Sequence, residues 1–328
     1  MPTRASVEPR TVTSDPTAAA ADRSIPLVVA LGDASPDDPD LGGKASSLNR
    51  LAQLGRPIPP GFCVSAAAYR AWVRAVQGPV AFDDAVGRLP DEAARAEIQV
   101  ALERTDTPPE VVRAVADAIA AIAEAIERPL LAVRSSALDE DGAAASFAGV
   151  HETELGRTPD EVEPALRRCW LSLWSRTAIA YRARRGLAFA DAAMAVVVQA
   201  LVPAQVSAVV FTRHPVTGRD DVLINAIRGL GEPMVSGEAT PETIVVTRSG
   251  HVVERIPGDH GERLFARSGE LVTERDRESG PVLDDADAIG LAAVALDVEA
   301  RFGAPVDIET AWADGRWILL QARPITTR

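Results

Sequence analysis

Lysine is nearly absent from this sequence: one residue, Lys44, stands against 33 arginines in a chain of 328. Positive charge as a whole is short, with 34 basic against 47 acidic side chains and a formal net charge of −13. That balance excludes a nucleic-acid backbone as partner for the protein as a whole, and leaves room only for a small basic pocket able to take a polyphosphate. Cysteine is scarce as well. Cys63 and Cys169 lie far apart within the apolar stretches "PGFCVS" and "ALRRCWLSLW", a pattern of buried free thiols that makes neither a disulfide framework nor a zinc site. The four histidines, His151, His214, His251 and His260, are scattered without metal-ligand spacing. Nothing approaches eighteen uninterrupted apolar residues, so no membrane-spanning helix is expected. Residues 1–24 are small, polar and proline-bearing with no apolar signal region, which predicts a disordered leader and a cytoplasmic protein.

What is present is a 47% hydrophobic chain, enough for two or three compact units. Pro26 to Leu31 reads as a strand, Lys44 to Leu54 as a helix, "GFCVS" as a strand and Ala66 to Val76 as a helix, an α/β pattern. Residues 81–127 are alanine-rich and helical, with breaks at Pro90 and Pro108-Pro109. "LLAVRSSA" is a buried strand and "EDGAAASFAG" a loop of small residues. The spacing then predicts one long helix over Asp160 to Arg185, closed by Gly186. Strands follow at "MAVVVQAL", "VSAVVFT", "DVLINA", "TIVVT" and "HVVER", then a helix from Asp285 to Phe302 and a hairpin about Asp314-Gly315. Helix-rich sequence gives way to strand-rich sequence near 200, predicting lobes at 25–200 and 201–328 with a cleft between them.

Lys44 follows Gly42-Gly43 at the start of a helix whose apolar positions are Leu48, Leu51 and Leu54. Amide groups and the helix dipole favour an anion there, and a compact ammonium reaches a phosphate oxygen where a planar guanidinium does not fit. The alternative is an ordinary glycine-rich turn with an exposed lysine. A Walker A loop is excluded, since Asp38 and Ala45 stand where that pattern needs Gly and Ser or Thr.

Near the C-terminus, alternate residues of a strand share a face, so Asp307 and Glu309 point one way, as do Gln321 and Arg323 on the next strand. Carboxylates and an amide oxygen converging would suit Mg²⁺ bridging phosphates, and the arginine would clamp a phosphate. This depends on register. A strict two-residue turn pairs Glu309 with Leu320 and turns Gln321 away; a longer loop or a bulge pairs Glu309 with Gln321 and Asp307 with Arg323. The alternative is a solvent-facing polar edge. Arg134 ends the apolar run "LLAV", either entering a cleft or making a structural ion pair with an acid of the following loop. "ASFAG" has the small residues of a phosphate-covering loop. "GLGEPMVSGEATPE" combines glycines with Glu232 and Glu238, and His214 in "FTRHPVTG" reads as a turn histidine.

Taken in order, "LGGKASSLNRLAQLGRPIPPGFCVS", "AVRSSALDEDGAAASFAGVHET", "CWLSLWSRTAIAYR", "VVVQALVPAQVSAVVFTRHPVTG", "GLGEPMVSGEATPE" and "VDIETAW" with "LLQARPIT" resemble the N-terminal ATP-binding domain of the pyruvate phosphate dikinase, phosphoenolpyruvate synthase and rifampin phosphotransferase family over about residues 25–326. The resemblance implies an ATP-grasp-like α/β (α+β) fold with Mg·ATP between two lobes. It implies phosphate contacts from Lys44, Arg134 and Arg323, a metal-facing group of Asp307, Glu309 and Gln321, an adenine-receiving strand at Gln199 to Val202 including Leu201, and a phosphate lid at Ser146 to Gly149, with Ser135 and Asp307 also among the nucleotide-binding residues. Ala45 and Thr310 replace a glycine and a tryptophan common in the family.

In such relatives a mobile domain carries a histidine that takes phosphoryl from ATP with release of AMP, and a third domain holds the acceptor. No such histidine segment occurs here, so the resemblance implies an ATP-dependent phosphotransferase subunit that serves a histidine domain in trans. Two other readings stay open: direct transfer to a small molecule with release of ADP, and a nucleotide-binding regulatory module.

Overall fold

The computed structural model describes residues 26–138, 153–259, 261–276 and 280–325, so the leader lies outside the described residues. The chain begins with β1 (Val28–Ala30), α1 (Gly42–Gln53) and β2 (Gly61–Val64). Four helices follow, α2 (Ala66–Arg74), α3 (Pro79–Gly87), α4 (Glu92–Glu103) and α5 (Pro109–Ala125). Then come β3 (Leu131–Ala137), β4 (Thr153–Arg157), α6 (Val162–Ser172), α7 (Arg176–Arg185) and β5 (Met194–Ala200). The strand-rich part holds β6 (Val206–Phe211), β7 (Val222–Arg228), the short α8 (Glu232–Val235), β8 (Glu242–Val246) and β9 (Val252–Ile256). It continues through β10 (Glu262–Arg267), β11 (Glu270–Arg275), α9 (Asp285–Phe302), β12 (Val306–Ala313) and β13 (Arg316–Pro324).

Two larger sheets result, one of order β1-β2-β5-β3-β4 and one of order β13-β12-β6-β7-β8-β9, with β10 and β11 as a separate pair. Every pairing is antiparallel, the α+β form of the expected mixed fold. β5 and β6 are joined by a short segment but belong to different sheets. Among the described residues, no helix is long and apolar enough to cross a membrane.

Alternation along the central strands decides what each face packs against. On β5, Val196, Val198 and Ala200 join a core with Tyr69, Trp72 and Trp170, whose indoles stack at 5.2 Å between centroids. Ala195 and Val197 on the other face pack beneath α1 with Ala45, Leu48 and Cys63. The next turn of α1 buries Leu51 in the core that the second sheet forms with α9. One amphipathic helix is thus shared between the two sheets, and an Arg56–Asp297 ion pair ties the segment after it to α9. Both cysteines are buried free thiols, as expected, and burial raises the Cys63 thiol well above its ordinary range.

The helix expected over 160–185 is interrupted. It is two helices, because Ser175 ends the first run by capping the second, accepting a bond from Ala178 N at 3.2 Å. The break lets Trp174 bury its ring and donate from Nε1 to the Tyr69 hydroxyl at 3.0 Å. Three strands had no sequence prediction: β4, β10 and β11 are short, polar and half exposed, so no run of apolar residues announces them. A tight turn at Ser268-Gly269, both at positive φ, joins β10 to β11.

Candidate nucleotide site

The site begins with the β12–β13 hairpin. Asp314 and Gly315 both have positive φ and close a two-residue turn, with Ala313 opposite Arg316. That turn alone sets the register that would separate Glu309 from Gln321. Between Thr310↔Leu319 and Glu309↔Gln321, however, β13 carries one extra residue, Leu320. This bulge shifts every later pair by one, so Glu309 stands beside Gln321 and Asp307 beside Arg323. The Thr310 hydroxyl helps to hold the irregular stretch by donating to Ile318 O at 2.9 Å.

Arg134 reaches the bulge from the other sheet. Its Nη1 donates to Leu320 O at 3.1 Å, and its Nη2 donates to Glu309 Oε2 at 2.7 Å and to Gln321 Oε1 at 3.0 Å. Among the described residues Arg134 pairs with Glu309, 175 residues away; the acids of the loop that follows it lie outside the described residues. Arg323 Nε donates to Asp307 Oδ2 at 2.8 Å. Burial raises the Asp307 carboxyl above its usual range; the Arg323 charge and hydrogen bond pull it back, and the Glu309 charge pushes it further up.

Lys44 occupies the first turn of α1, behind the Gly42 position that only glycine can fill. Gly42 has φ +68°, and a Cβ there would fall 2.1 Å from Ser136 O. Ser136 locks this junction by donating from Oγ to Leu41 O at 2.8 Å and accepting from Ala45 N at 3.3 Å. At the other end, Ala322 N donates to Ser47 Oγ at 3.0 Å, and the Ser47 hydroxyl donates in turn to Ala322 O. α1 is thereby pinned to β3 and β13 at once.

Between the two sheets lies a cleft of about 730 Å³, within the range of small-molecule sites. Lys44, Arg134, Gln199, Leu201, Glu309, Gln321 and Arg323 all border it. Gln199 is 3% exposed and its Nε2 has no hydrogen-bond partner among the described residues, an unsatisfied donor at the cleft wall. Gly61 on β2 makes room for it, since a Cβ there would come within 3.0 Å of Gln199 Cγ. Glu232 also borders the cleft, and desolvation, with the nearby Glu238 charge, raises its carboxyl.

Two predicted residues stand apart from the cleft. Ser135 is buried on the opposite face of β3, level with Val196, because alternation sends Arg134 and Ser136 one way and Ser135 the other. Asp307 does not border the cleft and acts on it through Arg323. Ser146 and Gly149 lie outside the described residues. Ser136 and Ser47 were missed by sequence reading; the two-residue spacing from Arg134 was the available signal for Ser136. His214 accepts at Nδ1 from Val216 N and Thr217 N, both at 3.2 Å, and serves a turn away from the cleft. A larger depression of about 1330 Å³ among α2 to α5 is bordered by none of the predicted residues.

The oxygen donors fit a hard cation. Glu309 and Gln321 already share one positive group, the Arg134 guanidinium, with their side-chain oxygens turned towards it. Among the described residues no group of three or more His, Cys, Asp or Glu is placed to hold a metal ion by itself.

The family model of the pyruvate phosphate dikinase AMP/ATP-binding domain matches residues 38–328. A probable phosphoenolpyruvate synthase of Methanothermobacter thermautotrophicus is 34% identical over 325 residues, covering 95% of this chain and 48% of that protein. A rifampicin phosphotransferase of a Streptomyces species is 37% identical over 301 residues, covering 88% of this chain and 34% of the relative. The prodigiosin synthesizing transferase PigC of Serratia marcescens is 37% identical over 311 residues, covering 92% and 33% respectively. The chain spans about half or less of the length of these relatives.

Proposed function

Since the chain belongs to the family of pyruvate phosphate dikinase AMP/ATP-binding domains, we propose that it binds Mg·ATP in the cleft and passes phosphoryl to a histidine on a separate domain, with AMP as the nucleotide product. The observation that carries this reading is the bulge at Leu320, which brings Glu309 beside Gln321 and within reach of Arg134. Mg²⁺ bound by Glu309 and Gln321 would supply charge neutralisation across the phosphates.

Lys44 binds a phosphate as a point charge at the helix start, with the dipole of α1 behind it. Arg323, held in place by Asp307, offers a second cationic contact, and Arg134 a third. Gln199 and Leu201 form the wall that receives the base. In the transfer, an imidazole nitrogen of the partner attacks the β-phosphorus. The bond from that phosphorus to the α–β bridging oxygen breaks, and AMP leaves with the oxygen and its electron pair. The histidine then carries the β- and γ-phosphates as a pyrophosphoryl group, and attack of water on the γ-phosphorus breaks the β–γ bond, releasing inorganic phosphate and leaving the β-phosphoryl on histidine. Such a reaction asks the protein for positioning and electrostatic stabilisation, and the polar groups at the cleft are of that kind.

The test uses the full chain with Mg²⁺ and ATP labelled at the β-phosphate, with and without an added histidine domain from a family member. AMP together with acid-labile label on the added domain is the expected result. Labelled ADP with no label on protein would favour direct transfer of the γ-phosphate to a small molecule, and tight binding without turnover would favour a regulatory module.

A further inference from the structure

We propose that Arg134 and the divalent cation compete for the same two oxygens, so that ATP binds first and the cation enters as the triphosphate draws Arg134 away. This rests on the Mg·ATP reading above and adds an order of events to it.

Arg134 Nη2 lies 2.7 Å from Glu309 Oε2 and 3.0 Å from Gln321 Oε1, the two atoms best placed to ligate a cation. A magnesium ion needs oxygen ligands at about 2.0–2.1 Å, so it and the guanidinium nitrogen cannot share that point. Charge forbids it as well as space. The Arg134 side chain is 12% exposed and that of Glu309 27%, so two cations side by side would repel with little solvent to screen them.

The triphosphate resolves the conflict because it offers Arg134 acceptors at least as good as the pair it leaves. An arginine–carboxylate contact is exchanged for an arginine–phosphate contact, both charge-assisted. Nη1 gives the side chain a pivot: its bond to Leu320 O uses the bulge carbonyl and neither metal-facing side chain. Nη2 can therefore swing towards phosphate while Nη1 stays anchored. Arg323 differs in that its Nε donates to Asp307.

ATP chelates divalent ions by itself, so nucleotide-dependent metal binding alone would prove nothing. The informative measurement is Mn²⁺ binding to the protein without nucleotide, read by electron paramagnetic resonance. The wild type is expected to bind Mn²⁺ weakly, Arg134→Met to bind it about tenfold or more tightly, and Arg134→Lys, which keeps a cation in place, to stay near wild type. Arg134→Gln, neutral and polar, reports the same comparison if the methionine variant does not fold; circular dichroism checks each. Neutral variants with unchanged Mn²⁺ affinity would overturn the competition, as would a wild type that already binds the bare ion as tightly as they do. A fluorescent ATP analogue titrated into the wild type separates the two levels. If nucleotide binds while the Mn²⁺ affinities do not differ, only the competition falls; if no nucleotide binds with or without Mg²⁺, the Mg·ATP reading falls and the competition with it.

Discussion

Lys44 is the residue whose identity the sequence made conspicuous, and its place in the first turn of α1 at the cleft gives that identity a physical reason. Lys44→Arg keeps the charge and changes its shape, so ATP affinity is expected to fall about tenfold by isothermal titration calorimetry, although the substitution is nominally conservative. Asp307 behaves differently, since it holds Arg323 at a cost to the fold. Its carboxyl is raised chiefly by burial, so the folded state takes a proton more readily than the unfolded chain, and the ionised form is a stability cost at pH above the folded value. Asp307→Asn should therefore unfold at an equal or higher temperature at pH 7, with the advantage shrinking as pH falls towards about 4, the unfolded carboxyl value. The same variant should bind ATP more weakly, because Arg323 loses its partner. A lower unfolding temperature at pH 7 would show that the ion pair outweighs the burial.

At the scale of elements, the hairpin and the helix start set the site. Deleting Leu320 takes out the extra residue itself, so Thr310↔Leu319 is followed directly by Glu309↔Gln321; the pairs of the site are kept, while Arg134 loses the bulge carbonyl that anchors its Nη1. The expected outcome is a protein with native-like far-ultraviolet circular dichroism that still binds ATP, at most about tenfold more weakly; complete loss of binding would show that the bulge does more than set the register. Gly42→Ala places a side chain at φ +68° against a β3 carbonyl, and a loss of about 1–3 kcal/mol or more in denaturant unfolding is expected. Sequence reading reached the hairpin, its turn and the condition on its register, because Asp-Gly and alternating polarity are local signals. It left open which register holds, since a bulge is settled by what meets it, here Arg134 from the other sheet and the Thr310 hydroxyl. Ser135 was misplaced for a similar reason: two adjacent serines look alike in sequence, and only strand parity says which one faces the cleft.

Across the whole molecule, α1 is the piece both sheets share. Leu48 packs with the first sheet and Leu51 with the second, so the position of Lys44 is tied to the relation between the two. Leu51→Ala should cost about 2–5 kcal/mol of stability and weaken ATP binding together, whereas Trp72→Ala, in the core on the far face of the first sheet, should cost about 3–5 kcal/mol with ATP affinity little changed in the folded fraction. Some long periodic elements were legible, such as α9, which runs over the predicted Asp285–Phe302 with Asp284 capping one end and Gly303 the other, while the run over 160–185 hid the break at Ser175. The β10–β11 pair was not, because its stability comes from contacts distant in sequence, such as Leu271 against Gly156 of β4. The most direct test of the account is the equilibrium affinity for a non-hydrolysable Mg·ATP analogue in the wild type and in Glu309→Ala. The account predicts saturable binding at one site, weakened at least tenfold by the substitution; absence of binding to the wild type, or equal affinity in both proteins, would contradict it.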